Sequence, residues 1–280
     1  MKLLEKLNGG LCGVVEGPPK TGGSWLLGTA ASLGPTKLLA LKPREVNSIQ
    51  YVKHGINQTA QIFQNPNWMP DIGLYEAPAY LEFVRAIHAL YSDTETEVVL
   101  IDPGTDLDKY IDHHLFAPHK IDTPREYPEG GMAFYGAKKK AYERILPAIT
   151  GLTHAPKPKI VLMRMHTQPS REEAPTGKGG GGSKPHSDKL ARGIMYEGSV
   201  LPAMEGSAKY LFNAEWDMVL FTHIERRPPQ KVGGVPTTEY QIQVRANKDR
   251  HAGIALAPML DQQYLPNDFP GLLKKIEEAL

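Results

Sequence analysis

The stretch from Gly10 to Leu33 limits the possible folds more than any other part of the chain. GLCGVVE (residues 10–16) is short and apolar, as a buried strand requires. It runs at once into GPPKTGGS (residues 17–24), a cluster of turn formers, and then into the helix-like WLLGTAASL. A strand, a glycine-rich loop and a helix in that order bring backbone N–H groups and the positive end of a helix to one point. That arrangement receives a phosphate.

The rest of the chain reads as more of the same layering. KLLAL (residues 37–41) follows a Gly34-Pro35 break, which is the spacing of a βαβ unit and a parallel sheet. AYLEFVRAIHAL predicts a helix with Leu81, Val84, Ile87 (or His88) and Leu90 inward, and EVVLID (residues 97–102) predicts a strand. A helix from Ala137 would turn Tyr142, Ile145 and Leu146 inward and Lys138 to Lys140 outward, before a buried strand KIVLMRMH (residues 159–166). WDMVLFT (residues 216–222) and TEYQIQVRA, separated by the polar turn ERRPPQKVGGVPT, predict an antiparallel pair. FPGLLKKIEEAL predicts a final amphipathic helix packed through Leu272, Leu273, Ile276 and Leu280. The expected fold class is therefore α/β, with a mostly parallel, doubly wound sheet flanked by helices and antiparallel C-terminal strands. One domain over residues 1–280 is the expectation, with a mobile loop at 168–192, where SREEAPTGKGGGGSKPHSDK is almost devoid of apolar residues.

Lys and Arg number 32 against 31 Asp and Glu, so no overall positive field draws the protein to nucleic acid or anionic lipid. Any such contact must be local. A single cysteine, Cys12, in an apolar setting fits a buried thiol in a reducing compartment. There is no apolar run of signal-peptide type and none long enough to span a bilayer, so a soluble cytoplasmic protein without membrane contact is expected.

The octapeptide Gly17-Pro18-Pro19-Lys20-Thr21-Gly22-Gly23-Ser24 matches the phosphate-loop pattern G-x-x-x-x-G-K-[ST] at both glycines and at the serine. These eight residues and Trp25 form the candidate nucleotide-binding segment, although the Trp25 ring itself, like Trp68, reads as packing. In such a loop the serine holds Mg²⁺ and the lysine bridges the β- and γ-phosphates. Here Gly23 stands in the lysine's place. Asp102, at the end of Val98-Val99-Leu100-Ile101, is placed to fix the same metal, or else to cap a helix after a core strand. Asp112-His113-His114 with His119 reads as a solvated segment rather than a metal site.

On these motifs the chain resembles the RecA-like AAA-type ATPases of bacteriophages, a single-strand-annealing or recombinase-like P-loop nucleotide-binding family. GVVEGPPKTGGS takes the place of the Walker A motif and EVVLIDPGTDL that of the Walker B, with KIVLMRMH, LPAMEGSAKYLFNAEWDMVLF and QVRANKDRHAG following in order. The resemblance implies ATP and Mg²⁺ as cofactors and a role in DNA recombination or replication. It further implies a homo-oligomer, single-stranded DNA and a single-strand-binding protein as partners, and the host cytoplasm if the gene is a phage's. By the same likeness Arg245, Lys248 and Arg250 would neutralise phosphate charge across a subunit boundary. Glu45 would orient the attacking water, and His166, at the end of its strand, would either sense the γ-phosphate or serve structure alone. Lys178, Lys184, Lys189 and Arg192, with His186, would meet the DNA backbone, and Arg226, Arg227 and Lys231 could extend that surface.

Three answers to the missing lysine stand at this level. Lys20 compensates, a basic residue arrives from a neighbouring subunit, or the site binds nucleotide without turning it over and the chain is a pseudo-ATPase serving as an interaction module. Replacing Gly23 by Lys is expected to raise hydrolysis if the rest of the site is competent.

Overall fold

The computed structural model describes residues 9–41, 61–62, 78–169, 200–202, 215–227, 237–245, 252–254 and 260–279. Its elements, in chain order, are β1 (Leu11–Gly17), α1 (Gly23–Ala30), β2 (Thr36–Ala40), β3 (Gln61–Ile62), α2 (Pro78–Ser92), β4 (Val98–Asp102), α3 (Thr105–Phe116), α4 (Gly131–Thr150), β5 (Ile160–Pro169), β6 (Val200–Pro202), β7 (Met218–Arg227), β8 (Thr237–Gln243), β9 (Gly253–Ile254), β10 (Tyr264–Pro266) and α5 (Phe269–Ala279).

Continuous apolar runs, with no polar alternation, oblige β1 and β4 to be covered on both faces, and both are buried from end to end. One face carries Val14, Val99, Ile101, Val161 and Met163 against α2, α3 and α4. The other carries Leu11, Val15, Leu38, Leu100 and Leu162 against α1 and α5. The sheet runs β10-β8-β7-β1-β5-β4-β2-β3, with β6 on β5 and β9 on β7. From β7 to β3 every pairing on this path is parallel, and β8 and β10 add antiparallel neighbours at the other side. The α/β class, the mostly parallel sheet and the antiparallel C-terminal strands are as the sequence predicts.

Several local expectations change. Leu81 is 43% exposed, and the inward stripe of α2 is Tyr80, Phe83, Ile87 and Leu90, because the aromatic rings at 80 and 83 cover more core than Leu81 could. The segment with Asp112, His113 and His114 is not a solvated stretch but the second half of α3, an element missed because its carboxylates broke the apolar pattern. Those carboxylates explain a further reversal: Lys138 points inward, at 1% exposure, with Nζ 2.9 Å from Asp108 and 2.7 Å from Asp112. Tyr142 donates to the other oxygen of Asp108 at 2.9 Å. Burial alone would depress the Lys138 ammonium pKa, but the two carboxylates outweigh burial and hold it above its ordinary value. β5 also outruns its expected end at His166, continuing to Pro169, and its last three residues pair antiparallel with β6. The remainder of the loop expected at 168–192 lies outside the described residues, as does Leu280. Among the described residues, no helix is long and apolar enough to cross a membrane.

Candidate functional site

Parallel strands bring all their carboxyl ends to one edge, where ligands of open α/β sheets bind. β1 ends there at Gly17 and β4 at Asp102. Register then selects what meets them. Val15 pairs with Arg164 and Gly17 with His166 on β5, while Glu16 pairs with Phe221 on β7, which sets Thr222 beside Gly17. Ile101 pairs with Met163, so Asp102 and Arg164 are neighbours.

The loop between β1 and α1 is tied down from two distant parts of the chain. Thr21 Oγ1 is 2.7 Å from the Pro18 carbonyl oxygen and 2.6 Å from Thr222 Oγ1, which is 3.2 Å from the Glu16 carbonyl oxygen. Asn267 Nδ2 donates to the Gly22 carbonyl at 3.0 Å, and the Leu26 N–H donates to the same oxygen at 2.9 Å to open α1. Gly22 adopts φ 91°, and a Cβ there would come 2.6 Å from Asn267 Nδ2, so only glycine fits. Lys20 is left-handed as well, at φ 68°. Left-handed residues within a turn are the conformations found in backbone nests, where successive N–H groups point to one side. No side chain caps the first turn of α1, so its positive end is available at the same place.

Next to this loop lies a cation to which the sequence alone assigns no role. Arg164 Nη1 donates to Ser24 Oγ at 2.6 Å and to Asp102 Oδ1 at 3.1 Å. Its side chain is 9% exposed and that of Asp102 is fully buried. A Cβ built on Gly23 would lie 2.8 Å from Arg164 Nε, 3.0 Å from its Cδ and 3.3 Å from its Cγ. The arginine therefore fills the space into which a side chain at 23 would grow. The backbone fixes these positions further: the Gly104 N–H donates to the Arg164 carbonyl at 2.7 Å and the Leu41 N–H to the Asp102 carbonyl at 2.9 Å.

A hydroxyl and a carboxylate converging on one positively charged nitrogen also form a fitting pair for a small hard cation, whose preferred ligands are oxygen. Among the described residues, Ser24 and Asp102 are thus the pair whose oxygens would suit Mg²⁺. The cavity beside Ser24 and Arg164 measures about 430 Å³ and is lined by Lys20, Gly22, Gly23, Ser24, Trp25, Arg164 and Tyr240. That volume lies in the range of small-ligand sites. Trp25, expected to pack inside, is instead 49% exposed on the cavity wall, and Tyr240 is exposed to the same extent. A second cavity, of about 400 Å³, sits at the opposite end of β1 among Cys12, His154, Glu215 and Asp217.

Of the other sequence candidates, His166 is half-buried beside the loop, opposite Gly17. Arg245 is exposed past the end of β8, with Nη1 3.5 Å from the Asp261 carbonyl oxygen. Because β8 runs against β7, that end faces the amino side of the sheet, away from the cavity. Pro18, Pro19 and Lys20 are exposed, with Lys20 at the cavity wall. Glu45, Lys248, Arg250, Lys178, Lys184, His186, Lys189, Arg192 and Lys231 lie outside the described residues. Thr222, Tyr240 and Asn267 left no local sequence signal. Arg164 did: an arginine inside the apolar run IVLMRM must find a partner once buried. Among the described residues no cluster of three or more His, Cys, Asp or Glu side chains could hold a metal. Asp112 is paired to Lys138, and His114 packs 4.8 Å from the Tyr80 ring. No known protein family matches the chain, and none of the curated proteins compared with it does.

Proposed function

We propose that the chain binds ATP with Mg²⁺ in the cavity at the β1–α1 loop, as a RecA-like P-loop protein. The observation that carries this reading is a convergence: an uncapped helix start, Ser24 and a buried guanidinium meet around one cavity at the carboxyl edge of the sheet, with Asp102 behind them on the same guanidinium nitrogen as Ser24. In it, the N–H groups of residues 22–24 receive the phosphates, and Ser24 and Asp102 hold the metal. Bound Mg²⁺ supplies positive charge to the phosphate oxygens. Lys20 and Trp25 line the approach, and His166 stands close enough to the loop to respond to what fills it.

The wider reading, supported by the resemblance alone, is a homo-oligomeric phage-type recombination or replication protein that engages single-stranded DNA in response to nucleotide. Lys178, Lys184, Lys189 and Arg192 would meet the DNA, with a single-strand-binding protein as a further partner. Glu45, Lys248 and Arg250 would complete weak or partner-dependent hydrolysis. The test is titration of the purified protein with ATP and Mg²⁺, followed by calorimetry and tryptophan fluorescence, with and without a single-stranded oligonucleotide. Saturable binding is the expected result, and no binding under either condition removes the reading.

One observation favours a second reading, a pseudo-ATPase that serves as an interaction module. Arg164 already engages both residues assigned to the metal. Such a module would hold its partners equally with and without nucleotide and release no phosphate, which pull-down and phosphate-release assays distinguish.

A further inference from the structure

We propose that Arg164, reaching across from β5, is the phosphate-facing cation of this site and stands in for the side chain that Gly23 lacks. The inference rests on the nucleotide-binding reading above and names the residue that neutralises the phosphates. Its first support is steric. Any side chain at 23 would begin 2.8 Å from Arg164 Nε, so the glycine and the arginine form one arrangement rather than a lesion beside an unrelated residue.

The second support is position. Arg164 is paired to β1 opposite Val15, its stem lies against Gly23, and its guanidinium reaches Ser24, in the first turn of α1. The third is chemistry. A guanidinium is charged at every accessible pH and offers planar, paired donors that match phosphate oxygens. At 9% exposure its field is poorly screened by water.

One consequence separates this arrangement from a lysine-bearing loop. Nη1 sits on both Ser24 and Asp102, so Mg²⁺ and Arg164 compete for the same two oxygens. Nucleotide phosphates therefore meet a positively charged partner before any metal arrives, and ATP binding does not depend on Mg²⁺.

The experiment measures ATP affinity by calorimetry in EDTA and in Mg²⁺, with thermal melts as the folding control. It uses the wild type, Asp102→Asn, in which Arg164 keeps its bond to Ser24, and Asp102→Asn/Arg164→Met, because removing the arginine alone would strand the fully buried carboxylate. Wild type and Asp102→Asn should bind ATP in EDTA, and the double variant should bind on the order of a hundredfold more weakly. Adding Gly23→Lys to the double variant should recover at least about tenfold, since the lysine then has both room and purpose. A folded double variant that binds in EDTA as tightly as Asp102→Asn overturns the proposal. Wild type that binds only with Mg²⁺ overturns it too, while leaving the nucleotide reading intact. Wild type that binds under neither condition removes both.

Discussion

The hydroxyls of Thr21 and Thr222 lie 2.6 Å apart, joining the glycine-rich loop to β7. Thr222 is buried, and its oxygen also touches the carbonyl of Glu16, so one side chain holds both the strand and the loop that follows it. Thr222→Val keeps the volume and removes the hydroxyl. It should cost about 1 kcal/mol of stability and weaken ATP binding by about tenfold, because the loop loses its shape rather than a ligand contact. Urea unfolding and calorimetry read the two effects separately. A large stability loss with unchanged affinity would contradict this role.

Lys138 neutralises two carboxylates on α3 from a position that water does not reach. Lys138→Met should destabilise the fold by about 3–5 kcal/mol, since Asp108 and Asp112 lose their shared counter-ion. Adding Asp108→Asn and Asp112→Asn should recover most of that loss. Denaturant midpoints of the single and triple variants provide the check.

Gly23→Lys in the otherwise wild-type chain should not awaken hydrolysis. The new side chain must displace Arg164, at an overpacking cost of about 1–3 kcal/mol, and it sets two positive charges side by side. Lower melting temperature with flat or reduced phosphate release is the expected outcome. A gain in turnover would show that the arginine yields without cost.

His113 and His114 should make stability fall on mild acidification. Burial depresses both imidazole pKa values below 6.5, and Lys109 adds to the effect at His113. The unfolded chain then binds protons that the folded one refuses. Stability is complete above pH 6.5 and declines as pH falls below it through the folded-state values. Urea midpoints compared between about pH 7.5 and about pH 5.5 should drop, and His113→Gln/His114→Gln should flatten the change.

Cys12 should resist alkylation while the protein is folded. Burial raises its thiol pKa to about 12; a backbone hydrogen bond from Asp217 opposes the rise, while the charge of the Asp217 carboxylate, which accepts from the thiol at 3.2 Å, adds to it. Thiolate is therefore scarce at neutral pH. As the chain has one cysteine, its rate of labelling in urea should follow global unfolding.

The strands were legible because they are buried on both faces: VVLID and IVLMRM have no other stable use. The loop at 17–24 was legible because its glycines and prolines act locally. Lys138 and α3 were not, since a charge that is buried in the company of its counter-ions looks, in one dimension, like a solvated one. Neither was the full site. Gly23 marks a missing charge in the sequence, but only register, which sets Arg164 opposite Val15, shows what stands near it. Asn267 is the extreme case, because nothing near it in sequence hints at Gly22.

That last contact joins residues 245 positions apart, and the Thr21–Thr222 contact joins residues 201 apart. β1, the first strand described, is flanked by β5 and β7, both made far later. On the ribosome the loop is thus synthesised well before the two anchors that shape it. A nascent chain stopped short of Thr222 exposes an apolar strand with neither anchor in reach. The loop can take its shape only once the chain is complete through Thr222 and Asn267.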